Sequence, residues 1–250
     1  AIVDTEVEVS DKFLAHAKID KGVMTLVDES RQRELLYALS SEDLKLVKKC
    51  GGSVCNSVVA ASSLGSKVFF SGKVADDADG ELYVSDLNRA GVDFHSAGQD
   101  PGTTGKCLVM VTKDAERTMN TFLGASDTLS AKEIDKDALK NSEWFYVEGY
   151  LVTDEARTAV TKDAVQFAKE HGIKIAISLS DPFVVEVFGD ALREVMGSGV
   201  DLIFCNKDEA LAFTGTDNLD SAIEKLQLIT KSFAITDGAN GASTHDGDLV

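Results

Sequence analysis

The sequence predicts an α/β fold on a mostly parallel sheet, and three observations predict it. From about residue 134 onward, short apolar runs alternate with longer amphipathic segments, the rhythm of a parallel sheet covered by helices. The N-terminal part adds short alternating strands and one hairpin, so a small β insertion accompanies the α/β core. No internal repeat or low-complexity linker interrupts the 250 residues, so residues 1–250 read as one domain rather than two.

The elements follow in order. Residues 5–9 and 23–27 alternate polar and apolar and read as half-buried strands, with a short amphipathic stretch over 11–17 between them. A helix over 29–39 puts Leu35, Leu36 and Leu39 on one face. Gly51-Gly52 opens a small-residue helix over 53–64. A strand over 68–70 leads into a glycine- and aspartate-rich loop over 72–80 and a helix over 81–90, stopped by Gly91. Residues 104–112 and 117–122 read as a hairpin. Strands over 144–147, 173–179, 202–204 and 233–236 then alternate with helices over 155–171, 183–196, 207–213 and 219–230. Gly238 and Gly241 introduce a hairpin-like ending.

Composition narrows the function. A formal charge of -17, from 42 acidic and 25 basic residues, repels nucleic acid and anionic membranes, and no Lys/Arg stripe offsets it. No apolar run is long enough to cross a bilayer. Cys50, Cys55, Cys107 and Cys205 form no CxxC pair and read as reduced thiols of a cytoplasmic protein. The four histidines are isolated, which gives no zinc pattern. A Walker A motif and a GxGxxG fingerprint are both missing, and so is a GxSxG elbow. P-loop kinases, dinucleotide-dependent dehydrogenases and serine hydrolases are therefore poorly supported.

Ligands of open α/β sheets bind where strands end and helices begin, and four places qualify. At Gly51-Gly52, backbone approaches a ligand closely while Asn56 offers donor and acceptor to a hydroxyl; a tight turn with a local cap fits equally well. Asn206-Lys207-Asp208-Glu209 follows a strand and puts Asn206 and Glu209 on one helix face, as oxygen donors suited to hydrated Mg²⁺, or simply as a solvated first turn. Asp237, Gly238 and Gly241 follow the last parallel strand, where backbone donors hold phosphate or ribose, or form a plain turn. Asp4 ends the opening apolar segment, either as an acceptor for vicinal hydroxyls or as a turn residue.

Taken together, these residues resemble the ribokinase-like, or PfkB-type, carbohydrate kinase family, closest to the branch of nucleoside and sugar kinases that includes adenosine kinase. The likeness runs through Gly51-Gly52-Ser53-Val54-Cys55-Asn56-Ser57, Leu64-Gly65, Gly72 and Asp77-Ala78-Asp79-Gly80 to Leu87-Asn88-Arg89-Ala90-Gly91-Val92-Asp93. It continues in Glu116-Arg117-Thr118-Met119, Leu123-Gly124-Ala125, Glu148-Gly149-Tyr150, Asn206-Lys207-Asp208-Glu209 and Thr236-Asp237-Gly238-Ala239-Asn240-Gly241. The resemblance implies a three-layer α/β/α domain with a small β-sheet lid, the lid strands coming from about 5–26 and 103–122. It implies an ATP- and Mg²⁺-dependent transferase whose acceptor is a hydroxyl of a sugar or nucleoside, acting as a monomer or lid-mediated homodimer. By the same resemblance Asp4, Gly51, Gly52 and Asn56 bind the acceptor and Arg117 helps to hold acceptor or phosphate. Asn206 and Glu209 handle Mg²⁺ and phosphate through water, and Asp237, Gly238 and Gly241 contact the nucleotide.

One departure stands out. The family's GAGD motif, which carries the aspartate that deprotonates the acceptor, is not among these residues, and the polar turn His245-Asp246-Gly247-Asp248 does not replace it. With no initiator Met before Ala1, the expectation is a kinase domain truncated at both ends, inactive as a segment; the alternative is a non-catalytic sugar- or nucleotide-binding homologue.

Overall fold

The computed structural model describes residues 1–40, 44–95 and 101–247; Asp248, named above in the terminal turn, lies outside them. The chain forms two compact units, Ala1–Glu133 and Ile134–Val250, each built around its own sheet.

In the first unit a five-stranded sheet runs, edge to edge, through β2 (Met24–Leu26), β7 (Arg117–Phe122), β6 (Gly105–Val111), β1 (Ile2–Glu8) and β3 (Val47–Gly51). The expected hairpin is present: β6 and β7 pair antiparallel, with Val111 opposite Arg117. Side chains alternate between the faces of a strand, and β1 uses this fully. Val3 and Val7 are buried, whereas Asp4, Glu6 and Glu8 point to the other side. Val7 joins Leu108 and Met110 in a core with Phe13 and Leu14 of α1 (Asp11–His16) and Leu35 and Leu39 of α2 (Glu29–Ser40). A second cluster joins Val3 to Cys55 and Val58 of α3 (Ser53–Ser63), Phe70 of β4 (Val68–Ser71), Tyr83 and Leu87 of α4 (Ala78–Arg89), and Val92 of β5 (Val92–His95).

Two strands are additions to the sequence reading. β3 reads Val-Lys-Lys-Cys-Gly, without apolar alternation. It is the sheet's edge, where lysines are tolerated and discourage edge-to-edge pairing, and its pairing with β1 fixes its conformation. β5 is set by parallel pairing with β4. α4 also starts earlier than the periodicity indicated, because Asp77 caps it.

In the second unit β8 (Trp144–Glu148), β9 (Lys174–Ser178), β10 (Val200–Asn206) and β11 (Thr230–Thr236) are parallel neighbours, and β12 (Ala242–Asp246) closes the edge antiparallel to β11. This is the expected strand–helix alternation, with helices α5 (Lys136–Lys140), α6 (Glu155–Glu170), α7 (Pro182–Met196), α8 (Lys207–Thr214) and α9 (Leu219–Leu226). α9 is shorter than expected, because Thr230 already pairs with Val200 and the chain must be extended there. One face of the sheet (Val147, Ile175, Ile177, Ile203, Cys205, Phe233, Ile235) is sealed in the main core. The other carries Trp144, Tyr146, Leu202 and Phe204, and is half open to water: Trp144 is 43% and Phe204 40% exposed.

Asp77 ties α4 to the start of β6. Its carboxylate accepts from Gly80 N at 2.8 Å, Thr104 N at 2.9 Å and Thr104 Oγ1 at 2.6 Å, and Thr104 is fully buried. Asp77→Ala is expected to cost about 2–4 kcal/mol, combining a lost cap with buried donors left unpaired. A urea titration against Asp77→Asn, which keeps one acceptor oxygen and should lose less, checks this.

Candidate functional site

Asp4 lies on β1 between Lys49 of β3 and Cys107 of β6, and is 8% exposed. The two glycines beside it serve different purposes. A Cβ on Gly51 would stand 2.1 Å from Asp4 Cγ, so the carboxyl occupies the space a side chain would need. Gly52 has open space around it but adopts φ +95°, a conformation that strains residues with a Cβ. Its carbonyl accepts the first helical bond of α3, from Asn56 N at 3.0 Å. Asn56 is exposed in the first turn of that helix. Arg117 starts β7, exposed, on the same sheet face as Asp4.

Burial and the nearby cations oppose each other at Asp4, and burial prevails. Burial pushes its carboxyl above the ordinary range; Lys49 and Arg117 oppose that, and Glu6 adds to it. Lys49 is held by Glu6 at 3.0 Å. Lys49 was not singled out by sequence reasoning, which gave β3 no strand and so no neighbour for Asp4.

The register places further residues beside Asp4. Asp4, Cys107, Thr121 and Leu26 form one cross-strand row over β1, β6, β7 and β2, and Met119 and Met24 form part of the next. Thr121 Oγ1 donates to Cys107 Sγ at 3.3 Å, and burial pushes the Cys107 thiol up to about 11. Leu26 and Thr121 also line a cavity of about 490 Å³ with Lys73, Phe122, Gly124 and Thr128. No sequence motif marks this row; only the register creates it.

The second unit gathers the other predicted residues where its parallel strands end. Asn206 and Glu209 form a reciprocal capping box on α8. Asn206 Oδ1 accepts from Glu209 N at 2.8 Å, and Glu209 accepts from Asn206 N at 3.0 Å and Asn206 Nδ2 at 2.8 Å. Glu209 is 5% exposed, and burial pushes its carboxyl up against the pull of the Asn206 amide. On neighbouring β11, Thr236 sits opposite Asn206, so the turn over 237–241 leaves the sheet beside this box. Asp237 accepts from Lys207 Nζ and from Asn240 Nδ2, each at 3.3 Å. Gly238 (φ +52°) and Gly241 (φ +98°) have open space around them.

These oxygen donors suit a hard cation only at one remove. Both Glu209 oxygens and Asn206 Oδ1 are engaged in the box, so hydrated Mg²⁺ fits through water rather than by direct ligation. Among the described residues, no group of three or more His, Cys, Asp or Glu side chains is arranged to hold a metal. No helix of the described residues is long and apolar enough to cross a membrane.

Comparison with known proteins gives a consistent picture. Residues 17–249 match the pfkB family carbohydrate kinase description. The adenosine kinase of Sinorhizobium meliloti superposes with a TM-score of 0.89 at 36% identity, over 100% of this chain and 76% of that one. The adenosine kinase of Saccharomyces cerevisiae is 29% identical over 92% of this chain and 68% of its own length. The guanosine-inosine kinase of Escherichia coli K12 is 24% identical over 91% of this chain, which spans only 55% of that enzyme. The ribokinase-like α/β fold is thereby shared.

Two outcomes follow for the Asp4–Gly51 contact. Gly51→Ala should cost about 1–3 kcal/mol by overpacking, and much less in an Asp4→Ala background, a coupling that a double-mutant cycle measures. Native Asp4 holds its proton more tightly than the unfolded chain does, so its contribution to stability is present at low pH and lost as pH rises through its raised value. Asp4→Asn is therefore expected to be at least as stable as the parent at neutral pH. Thermal melts should show that advantage shrinking as the pH falls through the carboxylate range.

Proposed function

The chain belongs to the pfkB family of carbohydrate kinases, and on that premise we propose that it transfers the γ-phosphoryl group of ATP to a hydroxyl of a nucleoside, adenosine first among the candidates. The observation that carries the choice of a nucleoside over a simple sugar is the row from Asp4 to Leu26. Three strand spacings give it a length of about 14 Å. It starts at a carboxylate and ends at an apolar residue that is 58% exposed, with Met24 and Met119 half-buried alongside. A ribose hydrogen-bonded to Asp4 leaves its base over Leu26, Met24 and Met119, soft side chains that accept a flat ring. A monosaccharide would leave that end of the row bare. The similarity to adenosine kinases and to a guanosine-inosine kinase supports the same reading.

The residues take the following roles. Asp4, kept able to ionise by Lys49 and Arg117, accepts hydrogen bonds from vicinal hydroxyls. Gly52 lets backbone approach the ribose, with no side chain in the way, and Asn56 completes the hydrogen bonding. Arg117 offsets negative charge on acceptor or phosphate. In the second unit, the N-terminus of α8 and the backbone over 237–241 hold phosphate oxygens. Asn206 and Glu209 orient the waters of Mg²⁺, which supplies charge neutralisation to the phosphates when bound. The sheet formed by β2, β7, β6, β1 and β3 contributes the lid, which excludes water whose attack would waste ATP. The proton acceptor of the attacking hydroxyl is assigned to none of these residues. The reading places the enzyme in the cytoplasm, where ATP is available.

The test is ATP-dependent phosphorylation of a panel of adenosine, guanosine, inosine, ribose and fructose, with and without Mg²⁺. Mg²⁺-dependent transfer to a purine nucleoside in preference to the sugars is expected. Preference for fructose or ribose would overturn the choice of acceptor. Tight nucleoside binding without transfer would move the reading to a binding protein. Asn56→Ala should raise the acceptor KM while leaving the ATP KM unchanged, and Glu209→Gln should shift the Mg²⁺ dependence of turnover.

A further inference from the structure

We propose that Cys50 and Cys55 form an oxidisable dithiol, which a hydroperoxide converts to a disulfide that locks the glycine turn between them. Neither cysteine has a role in the acceptor reading, yet together they bracket Gly51-Gly52. Cys50 is the fourth residue of β3 and faces away from Asp4, into the cluster that holds Val3, Val58, Phe70 and Tyr83. Cys55 is the third residue of α3, 1% exposed, and belongs to the same cluster. Cys50 packs against the cluster that contains Cys55 and Tyr83, and each thiol shifts the titration of the other, so the two side chains are near neighbours.

The surroundings fix both partners. Asp86 of α4 accepts the Cys50 backbone N–H at 3.0 Å, and Tyr83 OH donates to the Gly51 carbonyl at 3.3 Å. Between them lies Gly52 at φ +95°, a joint that can adjust as the sulfurs close to the roughly 2.05 Å of a disulfide. Among the described residues Cys107 and Cys205 have no cysteine neighbour: one bonds to Thr121, and the other is buried in the second unit's core.

Access assigns the order of events. Half-exposed Cys50 meets the peroxide first: its sulfur takes one oxygen, and the peroxide leaves as an alcohol or, from hydrogen peroxide, as water. Cys55 then attacks that sulfenic sulfur. The S–S bond forms, the S–O bond breaks, and a second water carries away the hydroxyl and the Cys55 proton. Burial pushes both thiols up, Cys55 to about 12, while Asp86 and Asp4 push Cys50 the same way. The reduced pair is therefore quiet at neutral pH, and its oxidation accelerates as the pH is raised.

The experiment treats the reduced full chain with hydrogen peroxide at neutral and mildly alkaline pH, then alkylates, digests with trypsin and weighs the fragments. Fragment 50–67 contains both cysteines. It should lose two hydrogen atoms and take no alkyl group, faster at the higher pH, while Cys107 and Cys205 remain alkylated and dithiothreitol restores the parent mass. Cys55→Ser should stop at a sulfenic acid trapped by dimedone. Two or three oxygens added to Cys50, a bond between two chains, or full alkylation of the fragment would overturn the proposal. The lock itself is read by calorimetry with adenosine: affinity should fall at least several-fold on oxidation in the parent but not in Cys55→Ser, and equal affinities would overturn it. That readout rests on the nucleoside reading, whereas the mass readout does not. A reduced protein that binds no nucleoside would therefore sink the proposed acceptor and leave the dithiol to be decided by mass.

Discussion

A carboxylate seated directly on a glycine organises the first unit. Asp4 can point inward from β1 only because Gly51 on β3 leaves it the volume of a side chain. The antiparallel pairing that brings them together also sets Lys49 beside Asp4. Burial alone would drive this group toward its neutral form, and the nearby cations counteract that. The turn that follows Gly51 starts α3 and presents Asn56, so the acceptor end of the site descends from one close contact.

The second unit solves a different problem, holding polar groups at the open ends of parallel strands. Here the helix N-terminus is satisfied by its own residues. Asn206 and Glu209 exchange three hydrogen bonds, which leaves α8 capped without any ligand. A site already capped is pre-organised, and a polar ligand completes it through remaining lone pairs and water rather than by displacing the cap. The Lys207–Asp237 pair adds a tie between this helix and the neighbouring turn. With both side chains partly exposed, that pair contributes little stability and serves mainly to fix the turn.

Much of this was legible in the chain because local chemistry and global fold agree. The helix stop at Gly91 and the alternation of β8 to β11 with helices were read from residue type and period. The glycine pairs and the Asn206–Glu209 spacing marked the strand ends. What escaped is what pairing alone determines. β3 carries two lysines in the place of an apolar pattern, and its strand state comes from β1. The row Asp4, Cys107, Thr121 and Leu26 draws on four strands far apart in sequence, so no spacing announces it. The nearness of Cys50 and Cys55 was hidden for a related reason: the residues are five apart, on a strand and a helix joined by the positive-φ turn, and only the fold packs both against one cluster.

The half-open face of the second unit's sheet has an optical meaning. Trp144 is the chain's single tryptophan, at the rim of that face with the Lys174 ammonium 5.2 Å from its ring. Tyr146 and Phe204 meet edge-on farther along, with ring centroids 6.1 Å apart. Whatever comes to rest on this face removes water from an indole that now sees it, so intrinsic fluorescence at one residue registers the covering of a whole sheet surface. The protein thus carries its own dye for that event, with no other tryptophan to blur the signal.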